Sequence, residues 1–172
     1  MLTHRALVGA MGPMSAIPDL PIGEAVAALP VAHIMGFVTY LGLALAGVPA
    51  VSFERFRPPD VLDAIEARRA AIFVGVPAMY RMLLEAGAAD RDLTSVRLWI
   101  SGADVMPADV RRRFQRFGAT ATLTFVGPVG EAAFIEGYGM FEVGGAVAIK
   151  FAAPGLSLGG DSVGFRIPGY RF

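Results

Sequence analysis

The chain has no cysteine and only two histidines, His4 and His33, among its 172 residues. Disulfides and thiolate metal sites are thereby excluded, and so is a histidine-rich metal cluster. The lack of cysteine fits a reducing compartment, so the expected location is the cytoplasm, with contact at a membrane periphery as the alternative. Charge is scarce too: 15 Lys+Arg balance 15 Asp+Glu, and charged residues make up 17% of the chain, below the roughly 25% of an ordinary soluble domain. A net charge of zero gives no electrostatic case for a nucleic-acid partner. Internal repeats and low-complexity runs are absent, and no charged start precedes a long apolar run as in a signal peptide.

Apolar side chains dominate instead, at 55% of residues and a mean hydropathy of +0.56. Such a chain is too apolar to cover its own surface. It reads as a membrane protein, an obligate oligomer, or a piece of a larger body whose faces pack on other parts. Residues Ile34–Val51 carry no charge and reach the length of a membrane span, which takes about 18 or more apolar residues. Gly36, Gly42, Gly47 and Pro49 interrupt them, however, and no Lys/Arg cluster flanks either end. The stretch reads better as a buried helix over Ile34–Ala46, stopped by Gly47, and a strand over Ala50–Phe53.

Other elements follow from punctuation and periodicity. A helix is expected from Thr3 towards Pro18, then a loop around Pro21–Pro30. Pro58 and Pro59 open a helix through Arg69 with Val61, Leu62 and Ile65 on one side. Ala71–Val74 and Val96–Ile100 read as buried strands. Pro77 starts a helix carrying Met79, Met82, Leu83 and Ala86 and stopping at Gly87; Pro107 starts another with Val110, Phe114 and Phe117 inward and stopping at Gly118. Thr120–Val126 is β-rich, Ala133–Glu136 is a strand feeding a loop at Tyr138, Gly145–Phe151 is a further strand, and the rest is glycine-rich turn. Alternation of strands with short helices predicts one α/β unit over residues 1–172, a largely parallel sheet with flanking helices. Ligands of such sheets bind beyond the carboxyl ends of the strands. Both Ser101–Asp104 and Tyr138–Glu142 fall at such ends.

The segment Glu136-Gly137-Tyr138-Gly139-Met140-Phe141-Glu142 carries the most chemistry. A tyrosine between glycines offers a flat ring where other groups approach closely, and Glu142 adds a carboxylate suited to a hard cation such as Mg²⁺. Ring, bare backbone and carboxylate together suit a nucleotide with its metal, although Gly-Tyr-Gly also occurs in ordinary turns.

The heptapeptide resembles the Tyr-Gly-x-Thr-Glu motif of the adenylate-forming superfamily of acyl-CoA synthetases, luciferases and adenylation domains. Other segments match that family in order. Met1-Leu2-Thr3-His4-Arg5 is similar to the residues after its phosphate loop, and Leu29-Pro30-Val31-Ala32-His33-Ile34-Met35-Gly36 to its Leu-Pro-x-x-His-x-x-Gly motif. Gly75-Val76-Pro77-Ala78-Met79-Tyr80 is similar to its Val-Pro-x-x-Tyr helix start, and Ser101-Gly102-Ala103-Asp104-Val105-Met106-Pro107 to its Ser-Gly-Gly-Ala-x-x-Pro turn. Asp161-Ser162-Val163-Gly164 with Pro168-Gly169 is similar to a later turn. The resemblance implies the central part of the family's N-terminal domain, without the phosphate loop or the C-terminal domain with its catalytic lysine. The implied parent activity is that of an ATP-dependent fatty-acyl-CoA ligase using fatty acid, ATP, Mg²⁺ and CoA, with little or no activity expected of this chain alone.

By the same resemblance Tyr138 stacks on adenine and Glu142 is the Mg²⁺ ligand and catalytic carboxylate. Gly102 and Ala103, with Ser101 and Asp104, offer backbone to the adenine, and Glu136 faces its amine; Gly137, Gly139, Met140 and Phe141 complete the nucleotide loop. Phe141 stands where the family threonine supplies a hydroxyl, and Ala103-Asp104 where the family has Gly-Ala. The acyl tunnel falls to His33, Met35, Gly36, Val76 and Met79, although core packing explains the apolar members equally well. Arg111, Arg112, Arg113 and Arg116 read as one solvated helix face. Two Gly-x-Ser-x-Gly matches, at Ser157 and Ser162, lack a following helix and a downstream histidine, which excludes a serine hydrolase. The alternative to an enzyme part is a non-catalytic module that binds acyl chains or nucleotides, or that self-associates through apolar faces.

Overall fold

The computed structural model describes Thr3, residues 23–160 and residues 162–168. The helix expected from Thr3 towards Pro18, the rest of the Met1–Arg5 motif, Asp161 and Gly169 lie outside the described residues.

An uninterrupted apolar strand requires cover on both faces, and this chain supplies it. Strands β1 (Ala25–Ala27), β2 (Ala50–Ser52), β3 (Ile72–Gly75), β4 (Leu98–Gly102) and β7 (Ala133–Met140) run parallel in the order β7-β4-β3-β1-β2. Strand β8 (Gly145–Ala153) adds antiparallel to β7, and β9 (Leu156–Leu158) and β10 (Phe165–Arg166) both pair with β8. A separate hairpin, β5 (Ala121–Leu123) and β6 (Gly127–Val129), stands off the sheet. The α/β expectation with a largely parallel sheet is met.

Helices α1 (Ile34–Leu45), α2 (Pro58–Arg68), α3 (Pro77–Glu85) and α4 (Ala108–Phe117) cover the sheet. On one face Val61, Leu62, Ile65, Tyr80, Leu83, Val110 and Phe114 pack with Val26, Phe73, Trp99 and Phe134. On the other, Leu43 of α1 packs with Ala25, Ala27, Ile72 and Val74, and partly buried Met35, Tyr40, Val76 and Met79 join them. Two family-like motifs thereby gain a packing explanation. Tyr80 is fully buried, rings crowd it from Phe73, Phe114 and Phe134, and its hydroxyl donates to Ile100 O at 2.8 Å. Gly36 lies where α1 crosses the preceding turn: a Cβ there would sit 2.1 Å from Pro30 O.

Several expectations need correction. The Pro21–Pro30 loop contains β1, which is wholly buried between β2 and β3. Its Ala-Val-Ala sequence is a weak strand former on its own, and pairing on both sides decides it. The glycine-rich end holds β9 and β10. The helix beginning at Ile34 is not buried throughout, since Phe37 and Leu45 are exposed. Met82, placed among the apolar members of α3, is also exposed. No helix among the described residues is long and apolar enough to cross a membrane.

Candidate nucleotide site

Parallel pairing of β4 with β7 sets Ser101 opposite Glu136 and Gly102 opposite Gly137. Residues two apart on a strand share a face, so Trp99 and Ser101 of β4 and Phe134 and Glu136 of β7 lie on the side covered by α4. Trp99, Phe134 and α4's Phe114 close the core there. Beyond them, towards the carboxyl ends, the lining becomes polar. Ser101 is only 1% exposed and its hydroxyl has no partner. Glu136 meets Arg111 of α4 at 3.3 Å, both half-buried, and Arg111 Nε is buried without a partner. An orphaned buried hydroxyl and an orphaned guanidinium N–H are costly, about 1–3 kcal/mol each, unless a ligand or water meets them.

Arg111 is therefore not part of a solvated face, as the run of arginines suggested. Val110, Phe114 and Gln115 mark the buried stripe of α4, and Arg111 stacks under it, three residues before Phe114 and four before Gln115. That proximity is the signal that singles it out from Arg112 and Arg113, which are exposed.

The Tyr138 segment also differs from expectation. Strand β7 continues through Tyr138 to Met140 rather than ending at Glu136, with an irregular register between Tyr138 and Gly139. Tyr138 is a strand residue, 45% exposed, with its ring offered to solvent. Phe141–Val143 then form a single 3-10 turn that leaves Phe141 and Glu142 exposed. Glu142 thus follows Tyr138 by two further strand residues and the first residue of that turn.

The glycines separate into two kinds. A Cβ on Gly139 would lie 2.1 Å from Gly145 O, so the β7–β8 crossing itself requires glycine. On Gly137 the nearest atom would be 3.8 Å away, and the fold has room for a methyl. Gly102 is intermediate, with Gly137 O at 3.0 Å and Met35 Cε at 3.3 Å from such a Cβ. Ala103 follows with φ +69, in the left-handed region that favours glycine. The Asp104 carboxylate accepts from Val105 N at 2.7 Å, so this turn holds its own negative charge.

The contact of Met35 with the Gly102 position brings the apolar candidates to the same edge. Met35, Val76 and Met79 pack in one cluster beside the ends of β3 and β4. His33 stands apart from them: it is exposed and caps α1, its Nδ1 accepting from Met35 N at 3.2 Å. Among the described residues no group of three His, Cys, Asp or Glu side chains could hold a metal. Glu142 alone fits only a cation that takes its other ligands from phosphate and water, as Mg²⁺ commonly does.

The sequence profile described as AMP-binding enzyme matches residues 1–172. The chain is 31% identical over 160 residues to a feruloyl-CoA synthase of an Amycolatopsis species, covering 91% of this chain and 28% of that protein. It is 24% identical to a long-chain-fatty-acid–CoA ligase of Bacillus subtilis strain 168, covering 83% and 24%. The chain thus spans about a quarter of the length of these curated relatives. Among solved structures, the N-terminal domain of FACL13 from Mycobacterium tuberculosis superposes with TM-score 0.68 at 20% identity, covering 86% of this chain and 35% of that one. The o-succinylbenzoate CoA synthetase of Bacillus subtilis, in complex with ATP and magnesium, superposes with TM-score 0.63 at 20% identity, covering 88% and 28%.

Proposed function

Because the chain belongs to the AMP-binding enzyme family, we propose that it supplies the adenine platform and part of the acyl pocket of an ATP-dependent acyl-CoA ligase acting in the cytoplasm. In the reaction a carboxylate attacks the α-phosphate of ATP, giving an acyl-adenylate and pyrophosphate; the CoA thiol then takes the acyl group and releases AMP. The observation that carries this reading is the meeting of bare backbone at Gly102 and Gly137, exposed Tyr138 and the unpartnered Ser101 hydroxyl at one pair of strand ends.

Tyr138 stacks on the adenine, and Gly102, Ala103 and Gly137 allow the base to approach backbone. Glu136, held by Arg111, accepts from the adenine amine, and Ser101 completes the polar lining. Mg²⁺, when bound with ATP, withdraws charge from the phosphates; Glu142 would hold it. The Phe141 side chain donates no hydrogen bond to a phosphate, so a side-chain hydroxyl at that point comes from elsewhere in the enzyme.

A fatty acid is the acyl substrate we favour. Met35, Val76 and Met79 form a pliable apolar wall without a polar side chain of their own to receive a phenolic group. The likeness to a feruloyl-CoA synthase supports a hydroxycinnamic acid as the second reading.

Calorimetric titration of the chain with non-hydrolysable acyl-adenylate analogues tests both levels. Saturable binding weakened about tenfold or more by Tyr138→Ala, in line with a lost aromatic stack, and also weakened by Gly137→Ala, is expected. An alkyl analogue outbinding a hydroxycinnamoyl one supports the fatty acid. A folded chain that binds neither analogue defeats the proposal. No turnover to acyl-CoA is expected from these 172 residues alone.

A further inference from the structure

From Ala119 to Gly130 the chain carries no charged side chain, yet most of this segment is solvent-facing. Its centre is the β5–β6 hairpin, whose turn is closed by Val126 N donating to Leu123 O at 3.2 Å. At the tip Phe125 is 99% exposed, Val126 72% and Leu123 49%. Such a cluster of bare apolar side chains is unusual on a protein surface.

The base, by contrast, is firmly held. Ala119 N donates to Val96 O and Thr120 N to Val129 O, both at 3.0 Å, and Thr120 Oγ1 donates to Glu131 O at 2.7 Å. Arg97 reaches across to Ala119 O at 3.1 Å and to Thr122 Oγ1 at 2.5 Å. The tip is therefore a fixed prong. It rises beside the amino ends of β4 and β7, away from the carboxyl ends where Tyr138 lies, and it does not depend on what occupies that site.

Helix α4 leads directly into the prong. Arg112, Arg113 and Arg116 are spaced three and four apart from the last of them, which makes one exposed stripe. Arg116 pairs loosely with Glu131 at 3.7 Å; neither Arg112 nor Arg113 pairs with an acid among the described residues. An apolar prong joined to a helix that carries unneutralised arginines matches a surface that is apolar inside and anionic outside. Strand addition by another chain fits less well, because each hairpin strand has three residues and Pro128 lacks an N–H.

We propose that the β5–β6 prong and the arginine stripe of α4 dock this chain on an anionic lipid surface, with Phe125 and Val126 in the acyl boundary and Arg112 and Arg113 at the phosphates.

Flotation of the full chain with phosphatidylcholine vesicles, with and without phosphatidylglycerol, provides the test. Salt-sensitive binding to the anionic vesicles is expected, reduced about tenfold or more by F125D and by the R112E/R113E pair. F37D, which alters an exposed phenylalanine of α1, should bind as the parent does. F125W should shift its emission to the blue on anionic vesicles, while the parent, whose Trp99 is buried, should not. Absence of vesicle binding by a folded sample, or binding that F125D leaves unchanged, overturns the proposal. So does a dimer that F125D converts to monomer without any vesicle binding, since a second copy would then cover the prong.

Discussion

Ala103 carries the clearest local strain in the site. Its φ of +69 places a side chain where glycine is at home, at a cost of about 1 kcal/mol. The residue is exposed and its methyl fills no core. Ala103→Gly is therefore expected to raise stability by up to about 1 kcal/mol, reduced by the greater freedom glycine has when unfolded. A urea midpoint that falls instead would show that the turn relaxes elsewhere. Ser101 and Arg111 illustrate the other side of residue-level reading. Both were visible in the sequence, one inside a motif and one inside a basic run, yet only packing leaves the Ser101 hydroxyl and Arg111 Nε buried and without partners.

Among the elements, α3 ties the two central strands together through one residue. Tyr80 fills the core with its ring and hydrogen-bonds Ile100 O on β4 with its hydroxyl. Burial holds that phenol well above its ordinary pKa, so it stays a neutral donor throughout the usual pH range. Tyr80→Phe keeps the ring and strips the hydroxyl from a buried acceptor, and a loss of about 1–2 kcal/mol by chemical denaturation is expected. Tyr80→Ala would remove the ring too, and about 3–5 kcal/mol is expected. A tyrosine spaced three residues after a helix-opening proline thus has a structural reason for its place, separate from any ligand. The same holds for α1, where Tyr40 donates to Ala27 O at 2.8 Å and binds the helix to the otherwise faint strand β1.

At the scale of the whole molecule, surface ion pairs tie segments distant in sequence. Glu24 grips Arg68 with both oxygens, at 2.6 and 2.7 Å. Glu66 accepts from Arg91 and from Asp92 N, both at 2.9 Å, and Asp92 accepts from Thr94. The Arg68 hydrogen bond lowers the Glu24 pKa, the Asp92 amide and Arg91 lower that of Glu66, and the Thr94 donors lower that of Asp92. Groups with depressed folded pKa values stabilise fully above the unfolded carboxylate range, about 4, and lose that contribution as pH falls through the folded values. The urea midpoint should accordingly hold steady from neutral pH down to about 5 and drop below about 4, with Glu66→Gln flattening the drop. A midpoint flat down to pH 3 would mean that solvent screening cancels these pairs.

Much of this protein was legible in its sequence because local rules are strong. Prolines at Pro58 and Pro77 open α2 and α3, Gly47 and Gly87 follow the ends of α1 and α3 with positive φ, and unbroken apolar runs announce a sheet covered on both faces. The ordered motifs placed the family and the edge of the sheet that carries the nucleotide candidates. What sequence could not supply was anything that depends on a neighbour far along the chain. Strand β1 exists because β2 and β3 flank it, β7 runs on through Tyr138 because β8 pairs with it, and Arg111 leaves its basic run because Glu136 receives it. Propensity and spacing act over a few residues, whereas pairing, burial and charge compensation are settled only when distant segments meet.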